Sequence, residues 1–335
     1  MSPTLASHRL SLVIPVYNEQ ENITALLERV HTALADYTQP WELILVDDGS
    51  TDATYRLLQA EAQGYGPHVR VFELSRNFGQ TAALQAGLDQ VRGDIVATLD
   101  GDMQNDPHDI PRMVAHLLEH DLDMVAGWRK QRQDAALRRK LPSRIANWLI
   151  GRLTGVRLHD YGCSLKVYRA AVLREVSLYG QMHRFIPAWV AALTRPSRIE
   201  ELVVAHHPRT KGASKYGLGR ILPVLIDLFS VLFFLRYKAR PGHFFGSIGV
   251  WLGALGGLIL TYLAGVKFLL GEDIGTRPLL LVGVVLVIAS LQFLTTGVLA
   301  ELLARVYFES GQQKSYAIRA QVPARPSETD WRTLE

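Results

Sequence analysis

Two apolar runs near the C-terminal end constrain this chain more than any other feature. Phe244–Val266 carries no charged residue over 23 positions, and Leu279–Leu299 carries none over 21. About 20 such residues match the hydrocarbon core of a bilayer. One run of this kind also suits a buried core helix. Two in tandem, joined by the short polar connector Lys267–Pro278, predict a transmembrane hairpin with helices at about 244–266 and 279–299. Arg236, Lys238 and Arg240 precede the first run, and Arg305, Lys314 and Arg319 follow the second. The connector balances Lys267 and Arg277 with Glu272 and Asp273. Basic flanks stay in the cytosol, so both termini are expected there, in a multi-pass protein of the inner (cytoplasmic) membrane. The opening MSPTLASHRLSLVIPVYNEQ has no apolar core long enough for a secretory leader, in keeping with a cytosolic part before about residue 240.

The remaining residues read as a different kind of structure. Apolar runs at Leu10–Val16, Trp41–Val46, Val69–Leu74 and Asp94–Leu99 have the length and β-branched content of buried strands. Helical spacing fills the gaps, at Glu19–Ala35 (Ile23, Leu26, Leu27, Val30 and Leu34 on one face), Thr51–Gln63 and Gln80–Val91. Strands alternating with helices predict an α/β domain with a mostly parallel, helix-covered sheet. Such sheets bind ligands beyond the C-terminal ends of their strands. The polar clusters at 17–19, 47–52, 75–80 and 100–104 all follow strands, so one crevice is expected to gather them. The expected division is a catalytic domain over 1–216, surface-lying amphipathic helices over 217–240, the two spans within 241–303 and a cytosolic tail over 304–335. Gln321–Glu335 is expected to be disordered.

The clusters differ in chemistry. Asp100-Gly101-Asp102-Met103-Gln104 puts two carboxylates and an amide oxygen at a strand end, a set of hard donors suited to Mg²⁺ or Mn²⁺. A departing diphosphate needs such a cation, because charge builds on its oxygens. Asp47-Asp48-Gly49-Ser50-Thr51-Asp52 offers a carboxylate for a base or ribose, with Ser50 or Thr51 expected to cap the next helix. Pro15-Val16-Tyr17-Asn18-Glu19 offers an aromatic wall beside an acid, and Ser75-Arg76-Asn77-Phe78-Gly79-Gln80 places Arg76 ahead of a helix N-terminus, where an anion is favoured.

Nine Lys or Arg and a single acid, Asp134, lie between Arg129 and Arg157. The net charge of +4 is mild for a nucleic-acid binder, and the basic stretch lacks the interleaved aromatics that stack bases, so no nucleic-acid partner is expected. Anionic membrane lipids and a lipid phosphate account for the same charges, with Arg139, Ser143 and Arg144 forming a candidate phosphate pocket. His206-His207-Pro208-Arg209-Thr210-Lys211-Gly212-Ala213-Ser214-Lys215-Tyr216 reads as a second phosphate-gripping loop, and Asp160-Tyr161-Gly162 as a turn at a site. With Cys163 the one cysteine, an intrachain disulfide is excluded and a cysteine-based zinc site is not expected.

Taken in order, IPVYNEQENI, LVDDGSTD, SRNFGQTAALQAG, TLDGDMQNDP, DYGCSLKVYR, HHPRTKGASKYGL, the two spans and ELLARVYFES resemble family 2 glycosyltransferases of the A-type fold, in particular those that act on polyprenyl phosphates. The resemblance covers about residues 10–320. It implies inverting transfer from a UDP- or GDP-sugar to a polyprenyl phosphate such as undecaprenyl phosphate. It assigns Asp100, Asp102 and Gln104 to the metal and diphosphate. It assigns Pro15, Tyr17, Glu19, Asp48 and Arg76 to the donor, along with Asp100. Arg129, Arg139, Ser143, Arg209 and Lys215 fall to the acceptor phosphate and Asp160 to the sugar, with Asp160 and Asp102 the implied catalytic residues. Gly101 stands where relatives often have Ala. The Gln-x-x-Arg-Trp motif of processive polysaccharide synthases is missing. The competing readings are a non-catalytic nucleotide-binding membrane protein of the same fold and a transferase to a hydroxyl. Spans rich in Gly and Ala also allow a homo-oligomer.

Overall fold

The computed structural model describes residues 4–5, 7–130, 150–152, 155–176, 178, 182–208, 233, 237, 241–309 and 318–322. The chain divides into two compact units, Met1–Leu232 with Lys314–Glu335, and Phe233–Gln313.

In the first unit, β1 (Leu10–Val16), β2 (Trp41–Asp47), β3 (Val69–Leu74) and β4 (Ile95–Thr98) form the parallel centre of an eight-stranded sheet. Between them run α1 (Ile23–Ala33), α2 (Thr54–Tyr65) and α3 (Gln80–Leu88). After α4 (Asp109–Glu119) come β5 (Met124–Trp128), β6 (Lys166–Arg169), the short helices α5 (Ala170–Leu173) and α6 (Ile186–Ala191), and β7 (Ile199–Val203). The strand order is β7-β5-β6-β4-β1-β2-β3-β8, where β8 is Ile318–Val322. Only β6 and β8 run antiparallel to their neighbours. The central strands are rich in apolar residues because helices cover both sheet faces. Leu12, Ile14, Leu43, Leu45 and Val71 are fully buried with Ile23, Leu27 and Val30 of α1. On α3, Ala83, Ala86 and Gly87 let the helix approach the sheet closely. A Cβ on Gly87 would lie 2.4 Å from Val13 Cγ1.

The helices are shorter than their apolar spacing suggests, because polar loop residues claim the first turns. Residue 54, not 51, opens α2. Neither Ser50 nor Thr51 caps it: the Ser50 hydroxyl donates to Asp47, and the Thr51 amide donates to Asn18 Oδ1 at 2.8 Å.

The C-terminal segment departs from expectation. Ile318–Val322 adds an antiparallel edge strand on β3, with Val71 opposite Val322 and Glu73 opposite Ala320. Gln321 and Val322, read as the start of a disordered tail, therefore belong to the sheet. Five residues of alternating character are too short a signal to read as a strand in the sequence. The Arg319–Glu73 ion pair at 3.7 Å is exposed and contributes little. The backbone ladder is the main tie. A chain ending at Glu309 is expected to lose about 2 kcal/mol of stability in this unit. Hydrogen exchange at the amides of residues 71–74 should accelerate, and unchanged protection there would show that β8 adds nothing.

The second unit holds α7 (Pro241–Leu269) and α8 (Pro278–Glu309), both long and apolar enough to cross a membrane. Only 11% of each helix's most apolar window is buried, unlike the core helix of a soluble protein. The helices pack through small residues. Ser290 donates to the Gly249 carbonyl at 2.7 Å, and a Cβ on Gly256 would lie 3.0 Å from the Gly283 carbonyl. The proposed surface helices over 217–240 lie outside the described residues, apart from Phe233 and Tyr237.

Candidate active site

The sheet topology brings the expected clusters to one edge. The loops after β1, β2, β3, β4 and β5 all leave their strands at the same side, and antiparallel β6 begins there, so the turn before it joins them.

The acidic turn follows β4. Leu99 continues the ladder by donating to the Val13 carbonyl at 3.1 Å, and the chain then turns sharply. Met103 takes φ 63°, a conformation that costs a non-glycine residue energy and that clusters at functional sites. The Gln104 amide donates to Asp102 Oδ1 at 3.2 Å, and Gln80 Nε2 donates to Asp100 Oδ1 at 2.7 Å. A Cβ on Gly101 would lie 2.6 Å from Val16 Cγ1, so an alanine here would require Val16 to give way. Burial pushes the Asp100 carboxyl up to about 6, and the charge of Asp102 adds to the effect. Two carboxylates that repel each other in a half-buried turn, beside the amide of Gln104, fit a divalent cation with hard-oxygen preferences. Among the described residues, no group of three or more His, Cys, Asp or Glu gathers for a metal. The rest of such a cation's shell would come from water or a phosphate-bearing ligand.

The loops after β1, β2 and β3 interlock. Asn18, at φ 50°, donates from its amide to Ser50 Oγ at 2.9 Å, while the Glu19 amide donates to Thr54 Oγ1 at 2.9 Å. Both Asp48 oxygens accept backbone N–H groups, from Phe78 at 2.8 Å and Gly79 at 2.9 Å, at the start of α3. Burial pushes Asp48 up to about 6 despite those bonds, with Asp47 adding to the rise. Gly49, at φ 64°, sits where a Cβ would lie 2.3 Å from the Arg76 carbonyl carbon, so the turn requires glycine. Pro15, Tyr17 and Glu19 are half-buried on this rim. Arg76 is exposed, with its guanidinium 4.2 Å from the Phe78 ring centroid.

Asp160 and Arg129 arrive from opposite sides of the basic stretch and meet. Arg129 Nε donates to Asp160 Oδ2 at 2.7 Å and Nη2 to Oδ1 at 3.0 Å, with the side chains 10% and 9% exposed. Burial opposes the Arg129 charge, but the Asp160 carboxylate outweighs it and raises the guanidinium pKa. Arg129 is thus tied to the residue assigned to the sugar.

Next to Asp100 lies a pocket whose polar lining includes Gln80, Thr98, Ser164, Lys166, Tyr168 and His183. Gln80 and Lys166 fall inside matched motifs but drew no role from the sequence. His183 has no signal in the sequence. It stands at the pocket with its Nδ1 paired to Thr81 Oγ1, 102 residues away, at 2.7 Å.

A further knot holds the acidic turn. Asp106 accepts from Arg29 at 2.9 Å and contacts the rings of His108 at 2.8 Å and His207 at 3.0 Å. Burial alone would raise Asp106, but His207, His108 and Arg29 hold it well below the usual carboxylate range. The His207 amide donates to the Gln104 carbonyl at 2.8 Å. The start of the basic loop is therefore laced to the acidic turn. Arg139, Ser143, Arg209 and Lys215 lie outside the described residues.

The family model described as glycosyl transferase family 2 matches residues 11–178. The chain belongs to this family. As a family 2 glycosyltransferase it has close curated relatives. The dodecaprenyl-phosphate galacturonate synthase of Rhizobium johnstonii is 57% identical over 93% of each chain. The undecaprenyl-phosphate 4-deoxy-4-formamido-L-arabinose transferases of Yersinia pestis and Serratia proteamaculans are 36% and 37% identical, over 96% and 95% of each chain. Among solved structures, a mycobacterial protein superimposes with a TM-score of 0.52 at 23% identity, covering 69% of this glycosyltransferase and 75% of that chain. The glucosyl-3-phosphoglycerate synthase of Mycobacterium tuberculosis, solved with Mn²⁺ and UDP-glucose, gives 0.51 at 21% identity, covering 68% and 79%. These two share the fold, the A-type glycosyltransferase fold that the motifs implied.

Proposed function

We propose that this glycosyltransferase moves a sugar from a cation-bound nucleotide-sugar to a polyprenyl phosphate, inverting the anomeric centre. The observation that carries the reading is the turn at Asp100 and Asp102, two mutually repelling carboxylates set at the mouth of a polar pocket on the ligand-binding edge of the sheet. The names of the relatives support a polyprenyl phosphate as acceptor.

Asp100, Asp102 and Gln104 would hold Mg²⁺ or Mn²⁺, which supplies electrostatic stabilisation of the leaving diphosphate. Pro15, Tyr17, Glu19, Asp48 and Arg76 frame the nucleotide. Asp48 does so by fixing the loop ahead of α3, since both its oxygens already hold backbone amides. The acceptor phosphate is already an anion at neutral pH, so the attack needs no strong general base. The protein has instead to bring two anions together. Arg129, Arg139, Ser143, Arg209 and Lys215 are assigned to that task. Asp160 orients the sugar while fixing Arg129.

The place of β8 supports the expected membrane arrangement. A strand beyond the second apolar helix pairs with β3, so if both helices span a bilayer the chain between would cross it an even number of times. Both sides of the hairpin would then share one compartment with the catalytic sheet, and the basic flanks favour the cytosol for it.

The test is the purified full chain in nanodiscs with Mn²⁺, radiolabelled UDP- and GDP-sugars and undecaprenyl phosphate. A labelled, organic-extractable sugar phosphate of opposite anomeric configuration is expected. Absence of lipid-linked product with every donor would favour a non-catalytic binding protein. Label on a hydroxyl acceptor would favour the other alternative.

A further inference from the structure

The pocket beside Asp100 holds a cation that the transfer step does not require. Lys166 opens β6, paired with Thr98 on one side and Ala126 on the other, and is 3% exposed. Its ammonium has three donors, and among the described residues its one hydrogen bond goes to the Cys163 carbonyl. Asp100 and Asp160 lie within electrostatic reach of it, but Asp100 is bonded by Gln80 and Asp160 by Arg129. Two residues along the strand, and so on the same face, stands Tyr168. Its buried hydroxyl interacts with that of Thr98 but meets no partner at full hydrogen-bond geometry among the described residues. The His183 ring completes this wall.

Burying a cation and a phenol with donors to spare is costly unless a ligand completes them. A neutral sugar would not need that cost. Its hydroxyls are served by Gln80, Thr98 and Ser164, which line the same pocket. An anionic substituent would gain the most, because charge-assisted hydrogen bonds strengthen in a water-poor site.

We propose that Lys166, with Tyr168 and His183, forms a subsite for a carboxylate on the transferred sugar, so that the donor is a nucleotide-linked uronic acid. This rests on the glycosyl-transfer reading above and adds the class of sugar. A carboxylate at C6 would accept from the Lys166 ammonium and the Tyr168 hydroxyl, while the anomeric carbon stays beside the acidic turn. The relative at 57% identity is named for galacturonate, which agrees with this chemistry.

The experiment compares galacturonate and galactose donors, in UDP and GDP forms. They differ only in carboxylate against hydroxymethyl at C6. The full chain is assayed with undecaprenyl phosphate as wild type, Lys166→Met, Lys166→Arg and Tyr168→Phe. Wild type is expected to favour the uronate by about a hundredfold or more in kcat/KM, the scale at which a site that binds a substrate's polar group rejects the analogue lacking it. Lys166→Met should lose most of that preference, falling at least about tenfold further on the uronate than on galactose, and Lys166→Arg should retain part of it. Tyr168→Phe, an isosteric change, should lose about tenfold on the uronate alone. Equal loss on both donors would show that Lys166 serves the diphosphate or the fold, and would overturn the proposal. So would a wild type that uses galactose as well as galacturonate. If Lys166→Met does not fold, Tyr168→Phe decides by the same criterion. A wild type that transfers no sugar from any donor defeats the transfer reading itself, whereas one that transfers neutral sugars only defeats the carboxylate subsite alone.

Discussion

Replacing Asp102 by asparagine is expected to lower kcat/KM by about a thousandfold, the usual scale for losing an electrostatic stabiliser of developing charge. Asp102 accepts the Gln104 amide at 3.2 Å and, with Asp100, supplies the carboxylates at the end of β4. Asparagine keeps the shape and the acceptor for that amide but removes the charge on which a cation depends. Activity should therefore fall while the turn persists. Stability provides a second, independent readout. The folded Asp100 carboxyl lies at about 6, above its ordinary 3.8. A raised carboxyl pKa means that the folded state disfavours the anion. The cost is absent below the unfolded pKa, grows between about 4 and 6, and is fully present above 6. Asp100→Asn, assayed without divalent cation, should then raise the melting temperature at pH 7.5 and leave it nearly unchanged at pH 4. Adding Mn²⁺ should stabilise the wild type and leave both asparagine variants close to their cation-free values. Full turnover in Asp102→Asn, or a wild type indifferent to Mn²⁺ in both assays, would remove the cation from the site.

Much of this was readable in the sequence because parallel strands covered on both faces leave a strong mark. Leu10–Val16 and Val69–Leu74 are mainly apolar, and their structural bounds match the sequence reading residue for residue. The clusters after them had to converge, since parallel strands end at one edge. Other features depend on contacts between residues far apart in sequence. The β8 strand is five residues long and gains its meaning only from the edge of β3. His183 stands at the pocket paired to Thr81. Lys166 drew no role from the sequence, and its burial follows from lying between β4 and β5. Asp48 illustrates the limit from the other side. The sequence marked it as a nucleotide ligand, yet both its oxygens are engaged at the start of α3, a geometry that no local pattern encodes.

The second large effect follows from the Arg129–Asp160 pair. Sequence resemblance assigned one residue to the acceptor phosphate and the other to the sugar, as though they acted apart. Two hydrogen bonds of 2.7 and 3.0 Å between side chains about a tenth exposed make them one unit. Removing one partner of a buried ion pair leaves the other charge uncompensated, which costs about 3–5 kcal/mol. Asp160→Asn and Arg129→Met are each expected to melt the catalytic unit earlier by on the order of 10 °C. The double variant should be less destabilised than the sum of the two, because no orphan charge remains. Arg129→Lys keeps the charge but loses the planar fork, so it should fall between wild type and Arg129→Met in stability. Kinetics separate the structural from the chemical share. If Arg129 also meets the acceptor, Arg129→Lys raises KM for undecaprenyl phosphate more than KM for the donor. A uniform loss of kcat with both KM values unchanged would confine the pair to holding the turn at Asp160. Additive melting shifts in the double variant would show that the two side chains do not act together at all.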